Sequence, residues 1–397
     1  MRTLVVLGGA DGAITTLRTA RRLDVRTVCV DVRSDAPAVA WADEFCNVST
    51  RDVDRLVGVL AGRPDLAGVL SPASDVNLPT QLALAERLGL PCGLSAEAVR
   101  ASVDKGFFRA VADGLGQPGP RYVQGSPAEV RAALPGLRLP VILKPTDSSG
   151  GRGISLCSTA GQFEGALDGA AAYSMSDTLI AEEYLPGRHL TAEAVVADGR
   201  VALLGLSDRR LTALPHFVTV EHTMPERGHG LAGRVRAMLD DVCAALAYRW
   251  GSLNVDVLVT DDGDVVLIEV GARLGGNGVA ELLGLAQGVD VTELYIRMAL
   301  GEAVDLTPGA ARHAGFRVLR AEREGKLTSI AGLDVARALP DVVDIVVAVT
   351  EGEHVEPYTR AGAKLGYVLA ASSDRDQLMG TLDAAERLLR FDIRDAA

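Results

Sequence analysis

The first hundred residues alternate between short apolar runs and segments with one apolar helical face. The runs "TLVVLGG", "TVCVDV" and "AGVLSP" predict strands, and the segments between and after them predict helices. Strands that alternate with helices predict a parallel sheet covered on both faces. We therefore expect an N-terminal α/β domain over residues 1–104.

The pattern changes after "SAEAVRASVDKGFFRAVADGLG", which predicts one long helix. The stretch "LPVILKPTDSSGGRGISLC" predicts two strands joined by a polar, glycine-rich loop, and "SLNVDVLVTDDGDVVLIEVGAR" predicts a hairpin with a tight Asp-Asp-Gly turn. Further strands and the closing helix "SDRDQLMGTLDAAERLLRF" follow. This second part predicts an α+β arrangement.

Composition narrows the classes of function. A chain of 397 residues with 48% hydrophobic and 23% charged residues has room for two or three globular domains. Its net charge of −12 argues against nucleic-acid or membrane partners, and no apolar run reaches the length of a membrane span. The five scattered cysteines have no metal-ligand spacing. We expect a cytoplasmic protein.

The hairpin carries two acids, Asp256 and Glu269, which are 13 residues apart on strands that fold back on each other. Their side chains can converge on one face, and two oxygen ligands with open positions suit magnesium bound to a nucleotide. The alternative is that they lie on opposite or solvated faces. We favour the metal because Glu269 stands among Leu267, Ile268 and Val270, where an unpaired charge is costly.

Lys144 ends the apolar strand "PVILK" and precedes "SSGGRG". A lysine held on a rigid strand suits a nucleotide phosphate, and the backbone N–H groups of a mobile glycine loop can close over the terminal phosphate. The order is not that of a P-loop, because the lysine precedes the glycines. A plain hairpin turn is an equal alternative for this loop alone.

The strand end "LIAEEYLPG" is a third candidate element. After such a strand, the backbone of residues 182–185 can hydrogen-bond an adenine edge while apolar neighbours sandwich the ring. At the other end of the chain, the loop "GGADGA" together with Asp31 is reminiscent of a dinucleotide fingerprint, although the match is imperfect. A nicotinamide-dependent oxidoreductase is therefore an alternative from another class.

The order of these elements resembles the ATP-grasp superfamily, and the phrase "IEVGARLGG" is similar to the carboxylate–amine ligases that act on amino acids. The resemblance implies an α/β and α+β protein: an ATP-grasp fold with an N-terminal Rossmann-like, pre-ATP-grasp parallel domain over 1–104. It implies a nucleotide-binding region over 105–305, with a mobile lid at about 118–187, and a C-terminal α+β part over 306–397 that completes the ATP-grasp domain.

The resemblance also implies roles for individual residues. Asp256 and Glu269 would hold magnesium, and Arg273 would contact an acyl phosphate as a catalytic residue together with Lys144. The residues expected to bind ATP are Lys105, Lys144, the lid residues Ser149, Gly150, Gly151 and Gly153, and the adenine-binding Glu182, Glu183, Tyr184 and Leu185.

Two departures from the family pattern stand out. Many relatives have asparagine two residues beyond the metal-binding glutamate, where this chain has Gly271, so one metal is expected to be held more loosely unless Asn277 compensates. The family often has a ribose-binding acid at the position of His189, and Glu193 is the nearest substitute.

Substrate contacts are expected in two segments. "LPHFVTVEHTMP" resembles the part of amino-acid ligases that lines the acceptor site; there Glu221 and His222 are candidates, and Glu221 would receive an ammonium group. A surface strand with chance polar residues is an equal alternative. In "GGNG", Gly275, Gly276 and Asn277 are candidates, and Asn277 either caps a helix or contacts a carboxylate.

The implied activity is an ATP-dependent, ADP-forming ligation of an amino-acid or related carboxylate to an amine, for instance in specialised or antibiotic metabolism. The implied cofactors are ATP and Mg²⁺, with two ions and Mn²⁺ as a substitute. The implied partners are the two small-molecule substrates and a second copy in a homodimer. Alternatives are a purine-pathway or biotin-carboxylase-like ATP-grasp enzyme, and a nucleotide-binding protein without catalysis.

Overall fold

The computed structural model describes residues 2–148, 150–213, 216–227, 230–276 and 278–395. Its strands are β1 (Thr3–Leu7), β2 (Arg26–Val30), β3 (Glu44–Cys46), β4 (Leu66–Leu70), β5 (Tyr122–Gly125), β6 (Val141–Pro145), β7 (Ser155–Cys157), β8 (Leu179–Glu183), β9 (Gly187–Ala197), β10 (Arg200–Leu211), β11 (Thr219–Met224), β12 (Gly251–Thr260), β13 (Val265–Gly271), β14 (His313–Arg320), β15 (Gly325–Ala331), β16 (Val342–Val347), β17 (His354–Val355), β18 (Lys364–Ser372) and β19 (Arg390–Arg394).

Its α-helices are α1 (Ile14–Arg22), α2 (Val53–Leu60), α3 (Leu78–Leu88), α4 (Ala96–Val103), α5 (Lys105–Gly114), α6 (Pro127–Ala133), α7 (Phe163–Ala171), α8 (Leu231–Ala245), α9 (Val279–Gln287), α10 (Val291–Ala299), α11 (Leu333–Arg337) and α12 (Arg375–Leu388). Among the described residues, no helix has the length and apolar character needed to cross a membrane.

The N-terminal sheet has the order β3-β2-β1-β4, and all its strands are parallel. All five residues of β1 are buried, as expected for a strand covered by helices on both faces. The predicted N-terminal parallel α/β architecture is therefore confirmed.

A second, antiparallel sheet with the order β5-β8-β6-β7 spans residues 122–183 and carries α6 and α7. In this sheet β6 lies beside β8, so that Ile142 is opposite Glu182. The sheet thus brings the predicted lysine strand next to the predicted adenine strand.

The largest sheet has eight strands in the order β13-β12-β9-β10-β11-β14-β18-β16, and every neighbouring pair is antiparallel. Side chains alternate between its faces. On β12, Val255 and Val257 pack in a core cluster with residues of α4, α5 and α8, whereas Asp256 points to the other face. We call this other face the ligand face.

The C-terminal part is joined to the same sheet rather than standing apart. Strands β14, β18 and β16 continue it beyond β11, while β17, β15 and β19 form a separate three-stranded sheet. That the C-terminal part completes the ATP-grasp domain stays a prediction.

The helix predicted over "SAEAVRASVDKGFFRAVADGLG" is wrong as a single element, because the structure breaks it into α4 and α5 at Asp104. Asp104 has extended backbone angles, and its carboxylate accepts hydrogen bonds from the Gly106 and Phe107 N–H groups. An aspartate that caps a new helix outweighs the continuous helical pattern. The break places Lys105 at the first position of α5.

Replacing Asp104 with alanine should destabilise the protein by about 1 kcal/mol, because two N–H groups of α5 lose their acceptor. Urea unfolding measures this change. Asp113→Ala is the matched control, since Asp113 is an exposed aspartate near the other end of α5 and should leave stability nearly unchanged. Equal stability of the two variants would contradict the capping role.

Candidate active site

Asp256 and Glu269 lie directly opposite each other on β12 and β13, so their side chains share the ligand face. The Asp256 Oδ2 is 2.5 Å from the Arg209 Nη1, and the Glu269 Oε1 is 3.7 Å from the Lys105 Nζ. Both carboxylates keep about a third of their side chain exposed, 35% for Asp256 and 37% for Glu269. The predicted convergence of the two acids is present in the structure.

The donor set suits a magnesium ion that is shared with phosphates. Mg²⁺ is usually held by one or two carboxylates, with the remaining positions filled by water and substrate oxygens. Within the described ranges, no group of three or more His, Cys, Asp or Glu side chains is placed to hold a metal on its own. Asp256 and Glu269 therefore fit a site that needs the nucleotide to complete it.

Lys105 connects the acid pair to the glycine loop. Its Nζ donates a hydrogen bond to the Ser148 carbonyl oxygen at 2.5 Å, and its backbone N–H donates to the Thr146 carbonyl oxygen. The start of the loop is held by Asp147, whose carboxylate accepts from the Met175 and Ser176 N–H groups. One cation thus contacts the loop backbone and a candidate metal ligand together.

The glycines of this loop are required by its backbone. Gly150, Gly151 and Gly153 have φ angles of +69°, +78° and +73°, which residues other than glycine rarely adopt. Gly150 and Gly151 have open space around them, whereas Gly153 lies against Pro145 and Tyr173. The predicted Ser149 lies outside the described residues.

Lys144 is buried and ion-paired. Its Nζ is 2.6 Å from the Glu182 Oε2, and the other oxygen of Glu182 accepts from the Arg109 Nε at 2.9 Å. Burial alone would raise the pKa of Glu182, but the positive charges of Lys144 and Arg109 outweigh it and lower the pKa to about 2. Arg109 also donates to the Leu267 carbonyl oxygen, so the cluster ties β6 and β8 to β13.

The remaining residues of the predicted adenine segment follow β8 directly. The Glu183 carboxylate accepts from the Arg138 N–H and lies near the guanidinium groups of Arg138 and Arg121. The Tyr184 N–H donates to the Pro140 carbonyl oxygen, and both Tyr184 and Leu185 are half-buried. The Glu183 side chain is therefore occupied by arginine partners, and the Tyr184 N–H is already bonded within the protein.

His222 lies on the ligand face beside the acid pair. Its Nδ1 is 3.0 Å from the Ser207 Oγ, and its ring is 6.2 Å from that of Phe316. Burial and the positive charge of Arg209 lower the pKa of His222 to about 3. Burial also lowers the pKa of the half-buried His189 on β9, so both imidazoles are neutral at pH 7.

Glu221 is on the opposite face of β11 from His222, because neighbouring strand residues alternate. The Glu221 Oε2 accepts from the Arg317 Nε at 2.6 Å and from the Arg210 Nη2 at 3.2 Å, and Arg317 also pairs with Asp383 of α12. The prediction that Glu221 receives a substrate ammonium group is therefore corrected. The acid already has cationic partners and faces away from Asp256 and Glu269.

Glu193 is fully buried beneath the glycine segment that follows β13. Its oxygens accept hydrogen bonds from the Ser252 Oγ, the Asn254 Nδ2 and the Gly275 N–H. Burial raises the pKa of Glu193 to about 7, against the lowering effect of these bonds. A residue with no exposed surface is not available to ribose, so the expectation for Glu193 is replaced by a role in holding Gly275.

Gly275 and Gly276 differ in what surrounds them. A Cβ at Gly275 would meet the Glu193 Oε2 at 2.5 Å, so only glycine fits there, whereas Gly276 has open space around it. The predicted Asn277 lies outside the described residues.

Arg273 is held by Asp75 of the N-terminal domain. The Arg273 Nε and Nη2 donate to the two carboxylate oxygens of Asp75 at 2.9 and 2.7 Å, and its Nη1 donates to the Leu274 carbonyl oxygen. Burial would lower the pKa of Arg273, but Asp75 and the nearby Glu193 and Glu269 raise it. The guanidinium is therefore a fixed cation beside the acid pair.

The N-terminal glycine turn is held from within the protein. The Asp31 carboxylate accepts hydrogen bonds from the Gly9 and Arg33 N–H groups at 2.7 and 2.9 Å. Asp31 thus has a structural use that needs no dinucleotide.

Sequence reasoning missed three charged residues of the site: Arg109, Arg209 and Asp75. Arg109 is four residues after Lys105 and so lies on the same side of α5, a spacing that could have shown it. Arg209 reaches Asp256 because their strands lie in the same sheet, and Asp75 contacts Arg273, which is 198 positions away in the sequence. No local sequence pattern reveals either contact.

Acidification should destabilise the protein partly through His222. The unfolded chain takes a proton on this residue near pH 6.5, whereas the folded protein does so only near pH 3. Between these values the unfolded state binds more protons, so the free energy of unfolding falls as the pH falls. In the His222→Asn variant, the free energy of unfolding should fall between pH 6.5 and 5 by about 2 kcal/mol less than in wild type. Urea unfolding at several pH values measures this difference, and His216→Asn, at an exposed histidine, is the control. The same dependence of the free energy of unfolding on pH in all three proteins would contradict the role of His222.

Comparison with known proteins places the chain in a family. Residues 115–277 match the model of an ATP-grasp domain, and residues 317–394 match that of L-amino acid ligase C-terminal domain 2. The protein y4rH of Sinorhizobium fredii is 32% identical over 348 residues, covering 84% of this chain and 70% of the relative.

One further relative and one solved structure cover nearly the whole chain. The formate-dependent phosphoribosylglycinamide formyltransferase of Geobacter metallireducens is 26% identical over 98% of this chain and 96% of its own. The crystal structure of L-amino acid ligase from Bacillus licheniformis shares the fold, with a TM-score of 0.84 and 17% identity over 100% of this chain and 99% of its own. The chain belongs to the ATP-grasp family of carboxylate–amine ligases.

Proposed function

We propose that this protein is an ADP-forming ligase that activates an amino-acid or related carboxylate with ATP and joins it to an amine. The observation that carries the proposal is the position of Lys105, whose ammonium contacts the glycine-loop backbone at Ser148 and lies 3.7 Å from Glu269. A phosphate-binding cation, a closing loop and a metal-binding carboxylate meet there. That combination suits phosphoryl transfer.

The proposed reaction has two steps. A carboxylate oxygen attacks the terminal phosphorus of ATP, the bond to the bridging oxygen breaks, and ADP leaves an acyl phosphate behind. The amine nitrogen then attacks the acyl carbon, phosphate departs with the carbon–oxygen bond electrons, and the nitrogen loses a proton. The products are an amide, ADP and phosphate, and no covalent bond to the protein is needed.

Several residues of the chain have parts in this scheme. Lys105 and Lys144 bind phosphate oxygens of ATP, and the N–H groups of the glycine loop cover the transferred group. Magnesium, held by Asp256 and Glu269, supplies neutralisation of phosphate charge when it is bound. Arg273 balances the negative charge of the acyl phosphate at the end of the same strand.

The buried cluster around Glu182 supports the role of Lys144. An ammonium that is 8% exposed is fixed by its ion pair, so it is already in position when the nucleotide arrives. Because Arg109 shares the same carboxylate, Glu182 carries one negative charge against two positive ones. The cluster keeps a net positive charge that attracts a polyanion.

The amino-acid substrate class is supported by the C-terminal match to an L-amino acid ligase domain over 317–394. Strands β14 and β18 continue the sheet beyond β11, and Phe316 of β14, one residue before the C-terminal match, lies beside His222 of the ATP-grasp match. We propose that the substrates bind over this part of the ligand face. A homodimer and the use of Mn²⁺ in place of Mg²⁺ are further proposals.

One alternative function has a specific observation behind it. Relatives named formate-dependent phosphoribosylglycinamide formyltransferase match 98% of this chain at 26% identity. ADP release should therefore be measured with pairs of amino acids and, in parallel, with formate plus phosphoribosylglycinamide. Release that depends on amino acids supports the ligase, and release that depends on formate and the ribotide favours the alternative.

Glu269→Gln should lower kcat by about a hundredfold or more while leaving the fold intact, because one oxygen ligand loses its charge. Steady-state ADP release over a range of Mg²⁺ concentrations, with thermal unfolding beside it, measures both effects. Asp261→Asn, an exposed acid in the turn of the same hairpin, is the matched control and should keep the wild-type rate. Near wild-type turnover of Glu269→Gln at limiting Mg²⁺ would refute the metal assignment.

The glycine loop should become more protected when nucleotide binds. A loop of glycines with open space around them opens at low cost, and closure over ATP orders its N–H groups. Hydrogen exchange of peptides covering residues 146–153 should slow on addition of ATP and Mg²⁺, while the turn at 197–200 should not change. Equal exchange with and without nucleotide would remove the lid from the proposal.

A further inference from the structure

Asp75 and Arg273 form a two-pronged ion pair between separate parts of the chain. The two bonds of 2.9 and 2.7 Å join both carboxylate oxygens to Nε and Nη2, and the two side chains are only 14% and 15% exposed. Asp75 belongs to the segment after β4, whereas Arg273 follows β13 of the large sheet. Such paired bonds fix the plane of a guanidinium as well as its position.

The segment that carries Asp75 is itself anchored to the N-terminal sheet. The Ser71 N–H donates to the Gln81 Oε1 and the Ser71 Oγ donates to the Ser74 carbonyl oxygen, both at 2.7 Å. The Asn77 Nδ2 donates to the Leu7 carbonyl oxygen at the end of β1. The position of Asp75 therefore follows that of the parallel sheet.

Gly271 leaves the space that this ion pair fills. A Cβ at Gly271 would lie 2.7 Å from the Asp75 Oδ1 and 3.3 Å from the Arg273 Cζ, and the first distance is shorter than real Cβ contacts allow. Gly271 is two residues after Glu269, so a side chain there would point towards the same face. The absence of a side chain at 271 admits a carboxylate from the N-terminal domain.

We propose that Asp75 is a positioning residue that aims Arg273 at the reacting phosphate, and that Gly271 is the position that allows it. Glu193 and Glu269 are both close enough to attract the Arg273 guanidinium. Without Asp75 these acids would draw the arginine towards themselves, and Glu269 is needed for the metal. Asp75 holds Arg273 by two nitrogens and leaves the acid pair open.

This inference rests on the proposed ligase function, so its test has one arm that needs turnover and one that does not. The variants are Asp75→Asn, Arg273→Met, the double variant Asp75→Asn/Arg273→Met, and Gly271→Ala. Asp54→Asn is the control, because Asp54 likewise pairs with an arginine, but this ion pair with Arg87 lies on the surface of the N-terminal domain. All are compared by thermal unfolding, by ADP release with amino-acid pairs, and by hydrogen exchange of residues 271–276.

Asp75→Asn should lower kcat by about tenfold to a hundredfold with little change in the KM for ATP. Arg273→Met should lower kcat at least as much, and adding Asp75→Asn to it should change kcat by less than about twofold, because the aspartate acts only through the arginine. Gly271→Ala should reproduce the loss seen for Asp75→Asn, since its methyl group displaces the same carboxylate. Asp54→Asn should match wild type.

Losses that multiply in the double variant, or a Gly271→Ala variant with normal kcat, would overturn the inference. If Asp75→Asn does not fold, Gly271→Ala alone decides the inference, by ADP release and by hydrogen exchange of residues 271–276. If wild type releases no ADP with any pair, the proposed function fails. In that case faster exchange of residues 271–276 in Asp75→Asn and Gly271→Ala still supports the hold on Arg273, and unchanged exchange overturns it.

Discussion

Most of the charged side chains buried in the candidate site have an opposite charge beside them, and this constraint shapes the site. An isolated charge in such a place is costly, whereas a hydrogen-bonded pair is tolerated. Each pair here joins two different elements: Lys144 and Arg109 meet at Glu182, Arg209 meets Asp256, and Arg273 meets Asp75. Two of these contacts also join separate parts of the chain, because Arg109 of α5 meets Glu182 of β8 and Arg273 after β13 meets Asp75 after β4.

The local features of the fold were predictable because they depend on neighbours in the sequence. Apolar runs located β1, β2 and β4 of the parallel sheet, and the Asp-Asp-Gly turn located the β12–β13 hairpin with its two opposed acids. The break at Asp104 was not predicted, because a capping aspartate looks like an ordinary polar position in a helical pattern. Here a side chain-to-backbone bond outweighed the periodicity.

The site was predictable only where its residues lie on one strand or one loop. Lys144, Asp256 and Glu269 were singled out in this way. Glu221 was assigned to the substrate because its segment resembles the acceptor-site part of amino-acid ligases and an acid pairs well with an ammonium group. The sheet instead puts Glu221 and His222 on opposite faces, and Arg317 of β14 pairs with the acid. Partners such as Asp75 and Arg209 are brought in by strand order, which a single sequence does not contain.

The continuity of the eight-stranded sheet has a consequence for exchanging parts between related proteins. Strand β11 is hydrogen-bonded on one side to β10 and on the other to β14, with Thr223 opposite Gly315. A recombination point between β11 and β14 would pair strands from two parents, so the backbone register and the packing of His222 on Phe316 would both have to match. A junction before β5, or between β8 and β9, avoids that requirement, because all strands of the large sheet then come from one parent. The C-terminal part should therefore be exchanged between related proteins together with the rest of the large sheet, not by itself.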